Sequence, residues 1–367
     1  MNGLLDEATR LAGWAGVSAS RGWPTLSAAL GDDVRRLSDA YNQSGHAPAR
    51  WDPGLQAARL LFFLPRDVLK TAAWARDAAR AAPTRPLRVL DLGAGLGATS
   101  IGFADALRAV GGPAVSSVTL VDAEPTGLTI AADVVRVALP EVRVETRVAD
   151  LRGVLHVDDY DVVLFGQVLC ELDRDLPDEP RADAHLALLQ AALRMTAADG
   201  LLFVLEPALK PGTRHLQRVR DRLVAAGHGV VAPCTHRAPC PMLARPQDWC
   251  HGWAAGALPD ALHPAARAAG LRWEGLTSSR LVVTHAPKPQ APTARAVGPL
   301  QRTKGRSDVW WCTATGTLER AGRLDRHRTD ANAAWDDVVP GDAVTFDGLG
   351  VPPSKVTGAT EVVRRAP

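Results

Sequence analysis

The stretch APCTHRAPCPMLARPQDWCHGW, residues 232–253, carries three of the chain's five cysteines, Cys234, Cys240 and Cys250, together with His236 and His251. Thiols and imidazoles this close in sequence could ligate a soft metal, supply a nucleophile or close a disulfide loop. Five and nine residues separate the cysteines, so the two-residue knuckle of structural zinc sites is missing. Zinc stays open with the three cysteines and either His236 or His251. An iron–sulfur cluster stays open too, but needs a fourth thiolate. Cys312, in DVWWCTATG, is the candidate. A metal shared with Cys312 would clamp two distant parts of the chain together. The odd cysteine count argues against a disulfide framework.

A second set of residues points to cofactor chemistry. In VLDLGAGLGATS, Gly93, Gly95 and Gly97 follow an apolar run and precede a helical pattern. Glycines there let the backbone turn tightly and let a ligand lie against the main chain. Asp91 closes the apolar run, Asp122 closes the next one, and Asp150 follows the third. An acid at the second position is placed to meet a ribose diol. This constellation, over residues 85–210, resembles class I S-adenosylmethionine-dependent methyltransferases. The resemblance implies that Asp91, Gly93, Gly95 and Gly97 cradle the amino-acid end of S-adenosylmethionine. It further implies that Asp122 holds the ribose and that Asp150 lies near the adenine. The rival is a dinucleotide, with its diphosphate on the helix N-terminus.

No catalytic group can be read. The tetrad of amino-methylating enzymes is absent from FGQVLCEL, Phe165–Leu172. Gln167 and Glu171 in that segment could face the cofactor or open a helix, and Cys170 reads as a buried apolar neighbour. Pro233-Cys234 and Pro239-Cys240 imitate the nucleophile dipeptide of cytosine-C5 RNA methyltransferases, but they follow the fifth strand rather than the fourth.

The elements that must position these residues follow from periodicity. Residues 1–82 have helical spacing, with an interruption at Pro65 and no catalytic cluster. From residue 83, apolar runs alternate with helical patterns. They end in LRVLDL, SSVTLVD, EVRVETRV, DYDVVLFG and LLFVLEP, which predicts a doubly wound parallel α/β sheet. The helix TRHLQRVRDRLVAAG precedes the cysteine stretch, and SRLVVTHAP returns as a strand. The segment KPQAPTARAVGP reads as a linker. Residues 291–367 alternate short β-like runs and predict a small β domain. The expected division is 1–82 helical, 83–290 methyltransferase-like with the insertion at 232–253, and 291–367 β.

The 367 residues are 46% hydrophobic and 22% charged, enough apolar material for more than one core. A net charge of +2 does not announce a nucleic-acid binder. Basic residues nonetheless crowd one region: Arg302, Lys304, Arg306, Arg320, Arg323, Arg326 and Arg328. They form either a solvated face or phosphate contacts on RNA. No apolar run reaches membrane-spanning length. The start, MNGLLDEATRLAGWAG, has no basic leader region, so a cytoplasmic location is expected.

A more specific resemblance rests on LEPALKPGTRHLQRVRDRL, then APCTHRAPCP, then DWCH. In this order the features resemble the mitochondrial and bacterial small-ribosomal-subunit methyltransferase-like family (the methyltransferase-like protein 17 family), over residues 55–345. The resemblance implies a protein that binds small-subunit rRNA and serves ribosome assembly, as a monomer. It implies a [4Fe–4S] cluster on Cys234, Cys240, Cys250 and Cys312, with zinc as the alternative metal. It leaves open whether methyl transfer to rRNA occurs. A small-molecule methyltransferase is the third reading.

Overall fold

A computed structural model of the protein describes residues 30–41, 52–153, 159–256, 258–271, 275–289 and 292–365. Residues 1–29 and 42–51 of the helical spacing expected over residues 1–82 lie outside the described residues. Helix α1 (Gly31–Asp39) precedes α2 (Pro53–Ala58). The Asp52 side chain caps α2 by accepting from the Leu55 N–H at 2.9 Å, with Pro53 in the first turn where no donor is needed. A π-helical turn, Arg59–Phe63, leads into α3 (Leu64–Trp74) and then α4 (Arg76–Ala81). The interruption expected at Pro65 is therefore not a break. The wider turn before it places Pro65 in the first turn of α3, where its missing N–H costs nothing.

The next elements are β1 (Leu87–Leu92), α5 (Ala98–Ala109), β2 (Val115–Asp122), α6 (Pro125–Ala138), β3 (Arg143–Val148) and β4 (Tyr160–Gly166). They are followed by α7 (Asp178–Leu193), β5 (Thr196–Glu206), α8 (Lys210–Ala225), β6 (Gly229–Ala232), β7 (Gly252–Ala254), α9 (His263–Ala268) and β8 (Leu276–Thr284). The strands form one sheet in the order β3-β2-β1-β4-β5-β8-β6, with β7 paired to β8. Strands β1 to β5 are parallel, and β4 and the centre of β5 are buried on both faces, as continuous apolar runs require. The returning strand β8, whose direction the sequence leaves open, runs antiparallel to both β5 and β6. A parallel strand needs a crossover back to the starting edge. Here the chain leaves β6 into the cysteine stretch and α9 at the carboxyl ends of the strands, and it re-enters the sheet from that end.

Helix α3 lies directly on α5. A Cβ added at Gly102 would meet Thr71 Cβ at 2.5 Å and the Val68 carbonyl oxygen at 2.6 Å, so only glycine permits this approach. The N-terminal helices are thus part of the sheet domain's packing. The second sheet holds β9 (Ala294–Ala296), β10 (Gln301–Thr303), β11 (Arg306–Cys312), β12 (Leu318–Leu324), β13 (Ala343–Phe346), β14 (Lys355–Val356) and β15 (Val362–Arg365). Its order is β14-β12-β11-β9-β13-β15, with β10 on β11. Its core is aromatic. Trp311 meets Phe346 edge-on at 5.2 Å between ring centroids and Trp335 at 6.0 Å. The buried Trp335 indole donates to Ser307 Oγ at 2.9 Å.

Much of the basic stretch is neutralised by this sheet's own acids. Arg306 and Arg320 both pair with Asp308. Arg323 is buried against Asp336 and Asn332, and Arg328 pairs with Asp336. Among the described residues, no helix is long and apolar enough to cross a membrane.

Candidate functional site

Two cavities collect the residues singled out above. The larger, about 1050 Å³, opens at the carboxyl ends of β1, β2 and β4, where the strand order reverses between β1 and β4. That switch point is where open α/β sheets bind ligands. Gly93, Gly95, Asp122, Asp150 and Gln167 line it; Asp91 and Gly97 do not. Gly93, Gly95 and Gly97 all have positive φ, at 73°, 57° and 81°. Their environments differ. An added Cβ at Gly93 would strike Val168 at 2.4 Å and one at Gly97 would strike Val135 at 2.5 Å, whereas at Gly95 it would meet only the Arg59 guanidinium, at 3.2 Å. Gly95 faces the open cavity, while the other two are packed against neighbouring side chains.

The acids behind the loop hold its shape. Asp91 is fully buried and accepts from Ser100 Oγ at 2.7 Å and the Ser100 N–H at 3.2 Å. Burial pushes its carboxyl up to about 7, against the pull of the Ser100 bonds. Its Oδ1 is buried with no hydrogen-bond partner. Asp122 accepts from the Gly95 N–H at 2.8 Å and the Glu124 N–H at 3.0 Å, tying the glycine loop to the turn after β2. Asp150 is exposed and accepts from the Arg152 N–H.

Gln167 is not a helix-start residue. It sits just past β4 with φ of 61°, and its side-chain oxygen accepts from the buried Lys70 ammonium at 3.2 Å. Burial lowers the Lys70 pKa. The turn that follows is built on Glu206, at the end of β5. Its buried carboxylate accepts from the N–H groups of Val168, Leu169 and Cys170 at 3.1, 2.9 and 3.0 Å. Burial raises Glu206 to about 7. Glu171 lines the cavity, and the half-buried Cys170 donates to the Gln167 carbonyl. Arg59 and Lys70 come from helices in which no functional cluster was legible. Arg59 reaches Glu124 at 3.8 Å, beside the glycine loop.

The second cavity is lined by Cys234, Cys240, Cys250 and Cys312, with His236 and His251. All five cysteines are free thiols. Cys234 follows β6, Cys240 and Cys250 lie in the stretch before β7, and Cys312 ends β11 in the second sheet. The fold thus brings together four cysteines up to 78 residues apart in sequence (312 − 234). Among the described residues, no group of three or more His, Cys, Asp or Glu side chains is set to hold a metal ion. Cys312 Sγ and His236 Nε2 share a hydrogen bond at 3.3 Å. Burial, then the neighbouring cysteines, pushes Cys240 up to about 12 and Cys312 higher still. Burial, then Arg220, lowers His236 to about 4.

Helix α8 anchors this stretch. Arg214 Nη1 donates to the carbonyls of Met242, Arg245 and Asp248 at 3.0, 2.9 and 2.7 Å, and its Nη2 donates to Leu243 at 3.1 Å. The Asp221 carboxylate accepts from the Cys240 N–H at 2.9 Å, and Arg220 donates to the carbonyls of His236 and Ala238. The sequence marks this helix by its run of arginines but does not say which face the cysteines. Met242, Val297 and Cys312 form a small apolar core joining the stretch to the second sheet, and Arg245 lies 4.7 Å over the Trp310 ring.

A family model described as mitochondrial small ribosomal subunit Rsm22 matches residues 67–340. No curated protein matches. Solved structures with a similar fold include the plantazolicin methyltransferase BpumL in complex with SAH, at 9% identity and TM-score 0.40, covering 72% of this chain and 100% of that one. They include the ribosomal protein L11 methylase of Lactobacillus delbrueckii subsp. bulgaricus, at 12% identity and TM-score 0.34, covering 65% and 83%. A third is the precorrin-6y C5,15-methyltransferase of Geobacter metallireducens GS-15, at 13% identity and TM-score 0.35, covering 58% and 85%.

Proposed function

The chain belongs to the Rsm22 family, and from that premise we propose that it is an S-adenosylmethionine-binding, cluster-carrying factor that docks on the rRNA of the small ribosomal subunit. Its class I methyltransferase fold has the glycine loop at the switch point of the sheet. Gly93, Gly95, Asp122, Asp150 and Gln167 would meet the cofactor. Asp91 and Gly97 would act from behind, the first by fixing the start of α5 and the second by letting the loop close on α6.

The observation that carries the metal reading is the shared cavity of Cys234, Cys240, Cys250 and Cys312. A [4Fe–4S] cluster takes one thiolate at each iron, so its ligands stand apart around it rather than converging on a point. Four cysteines lining one cavity supply the four thiolates that such a cluster needs. When bound, the cluster would supply a covalent clamp between the two sheets and a one-electron redox couple. The protein's own part is to hold the thiols in place through Arg214 and Asp221.

Methyl transfer to rRNA is the second reading, favoured by the intact glycine loop and by the size of the cavity beside it. Lys70 and Gln167 stand in its wall, but their mutual hydrogen bond gives neither a defined role toward an acceptor. The test is incubation of the protein and labelled S-adenosylmethionine with immature small subunits. The proposal expects co-sedimentation with the subunits and no label on rRNA. Label on rRNA would establish the second reading, and failure to co-sediment would remove the ribosomal role.

A further inference from the structure

Three arginines line the cysteine cavity together with the four thiols, and all three are buried: Arg220 at 1% exposure, Arg280 at 4% and Arg295 at 4%. A buried guanidinium is costly unless it is paired. Two of the three have carboxylates. Arg220 Nη1 donates to Asp221 at 2.7 Å, and Arg280 Nη2 donates to Asp77 at 2.6 Å. Among the described residues Arg295 makes no ion pair; its Nη1 donates only to the Pro233 carbonyl, at 3.3 Å. Each guanidinium also keeps one buried nitrogen without a hydrogen-bond partner: Arg220 Nε, Arg280 Nη1 and Arg295 Nε. Asp342 also lies within electrostatic reach of Arg295, but it is paired with Arg364 at 3.1 Å. The cavity lining itself holds the three guanidiniums and four thiols and no carboxylate.

We propose that Arg295, assisted by Arg220 and Arg280, is the charge-compensating residue of an anionic thiolate-ligated centre in this cavity. The inference rests on the cluster reading above. Four thiolates on an oxidised [4Fe–4S] core leave a net charge of about −2, and one-electron reduction makes it more negative. Fixed positive charge beside the cluster stabilises the reduced form most and so raises its potential. Arg295 lines the same cavity as Cys234 and Cys312. It also comes from β9, the first strand of the second sheet, and bonds the residue next to Cys234. The same side chain therefore links the two halves that the cluster would clamp. It is a positioning and tuning residue, not a ligand.

The test uses full-length protein reconstituted anaerobically with iron and sulfide, as wild type, Arg295→Met, Arg295→Gln and Arg295→Lys. Redox titration followed by visible absorption is read on samples matched for iron content. The two neutral variants are expected to shift the oxidised-to-reduced ratio at a fixed potential at least about tenfold toward oxidised, about 59 mV for one electron. The lysine variant is expected to recover most of that shift. If Arg295→Met does not fold, Arg295→Gln carries the comparison. A wild type that holds its cluster, with neutral variants at the same potential, overturns this inference alone. So does a lysine variant shifted as far as the neutral ones. A wild type that builds no cluster removes the cluster reading and this inference together.

Discussion

Replacing Gly95 by alanine separates the cofactor loop's folding role from its binding role. Gly95 has φ of 57°, so an alanine there sits in the left-handed region at a cost of roughly 1–2 kcal/mol. Its Cβ would meet nothing but the Arg59 guanidinium, at 3.2 Å, which is the far end of a flexible side chain. The fold should lose about 1–2 kcal/mol and little more. The new methyl group stands in the cavity where the backbone must approach the ligand, so affinity for S-adenosylmethionine should fall at least about tenfold, or ~1.4 kcal/mol. Gly97→Ala is the control. It has the same kind of strain, but its Cβ would strike Val135 Cγ2 at 2.5 Å inside a packed face. Overpacking adds about 1–3 kcal/mol, for a total loss of roughly 2–5 kcal/mol. Urea melts and calorimetric titration with S-adenosylmethionine measure both quantities. Equal affinity for Gly95→Ala and wild type would refute the reasoning, as would equal destabilisation of the two variants.

Other outcomes follow from the same structure. Arg214→Met removes the donor that four carbonyls of the cysteine stretch share, and a charged hydrogen-bond donor of this kind is worth about 1.5–3 kcal/mol. Limited proteolysis should then cut between residues 240 and 250 far faster than in wild type, and unchanged protection would show that α8 does not hold the stretch. Cys312→Ser should lose most reconstituted iron while the aromatic core of the second sheet, read by tryptophan fluorescence, stays native; full iron retention would exclude Cys312 as a ligand. His185 and His215 are buried side by side, 2.8 Å apart, and burial lowers them to about 4 and about 3. Their folded-state pKa values lie below the unfolded value near 6.5, so the unfolded chain takes up protons first. Their contribution to stability is complete above about pH 6.5 and is lost as pH falls through 4. A His185→Phe, His215→Leu double variant should show a shallower fall over that window, and an unchanged slope would count against the pair as its source.

The sheet was legible because its central strands are buried on both faces and so read as unbroken apolar runs, as in LRVLDL and LLFVLEP. The direction of β8 was not, because direction depends on where the chain travels between strands, and SRLVVTHAP looks the same either way. The glycine loop could be located from spacing. That Gly95 faces the cavity while Gly93 and Gly97 are packed depends on Val168 and Val135, whose approach no local pattern encodes. The N-terminal helices looked free of function because Arg59 and Lys70 acquire their surroundings only when α3 docks on α5. The cysteines were visible as a motif, yet the arginines around them come from α8, β8 and β9. The Arg280 contact with Asp77 spans 203 residues, beyond any reading of neighbours.

The measurement that bears most directly on the account is the iron and acid-labile sulfide content of protein purified without oxygen. Four cysteines around one cavity predict about four of each per chain, with a broad visible absorption that Cys234→Ser abolishes. One zinc per chain, or no metal with the thiols free and the fold intact, would contradict it.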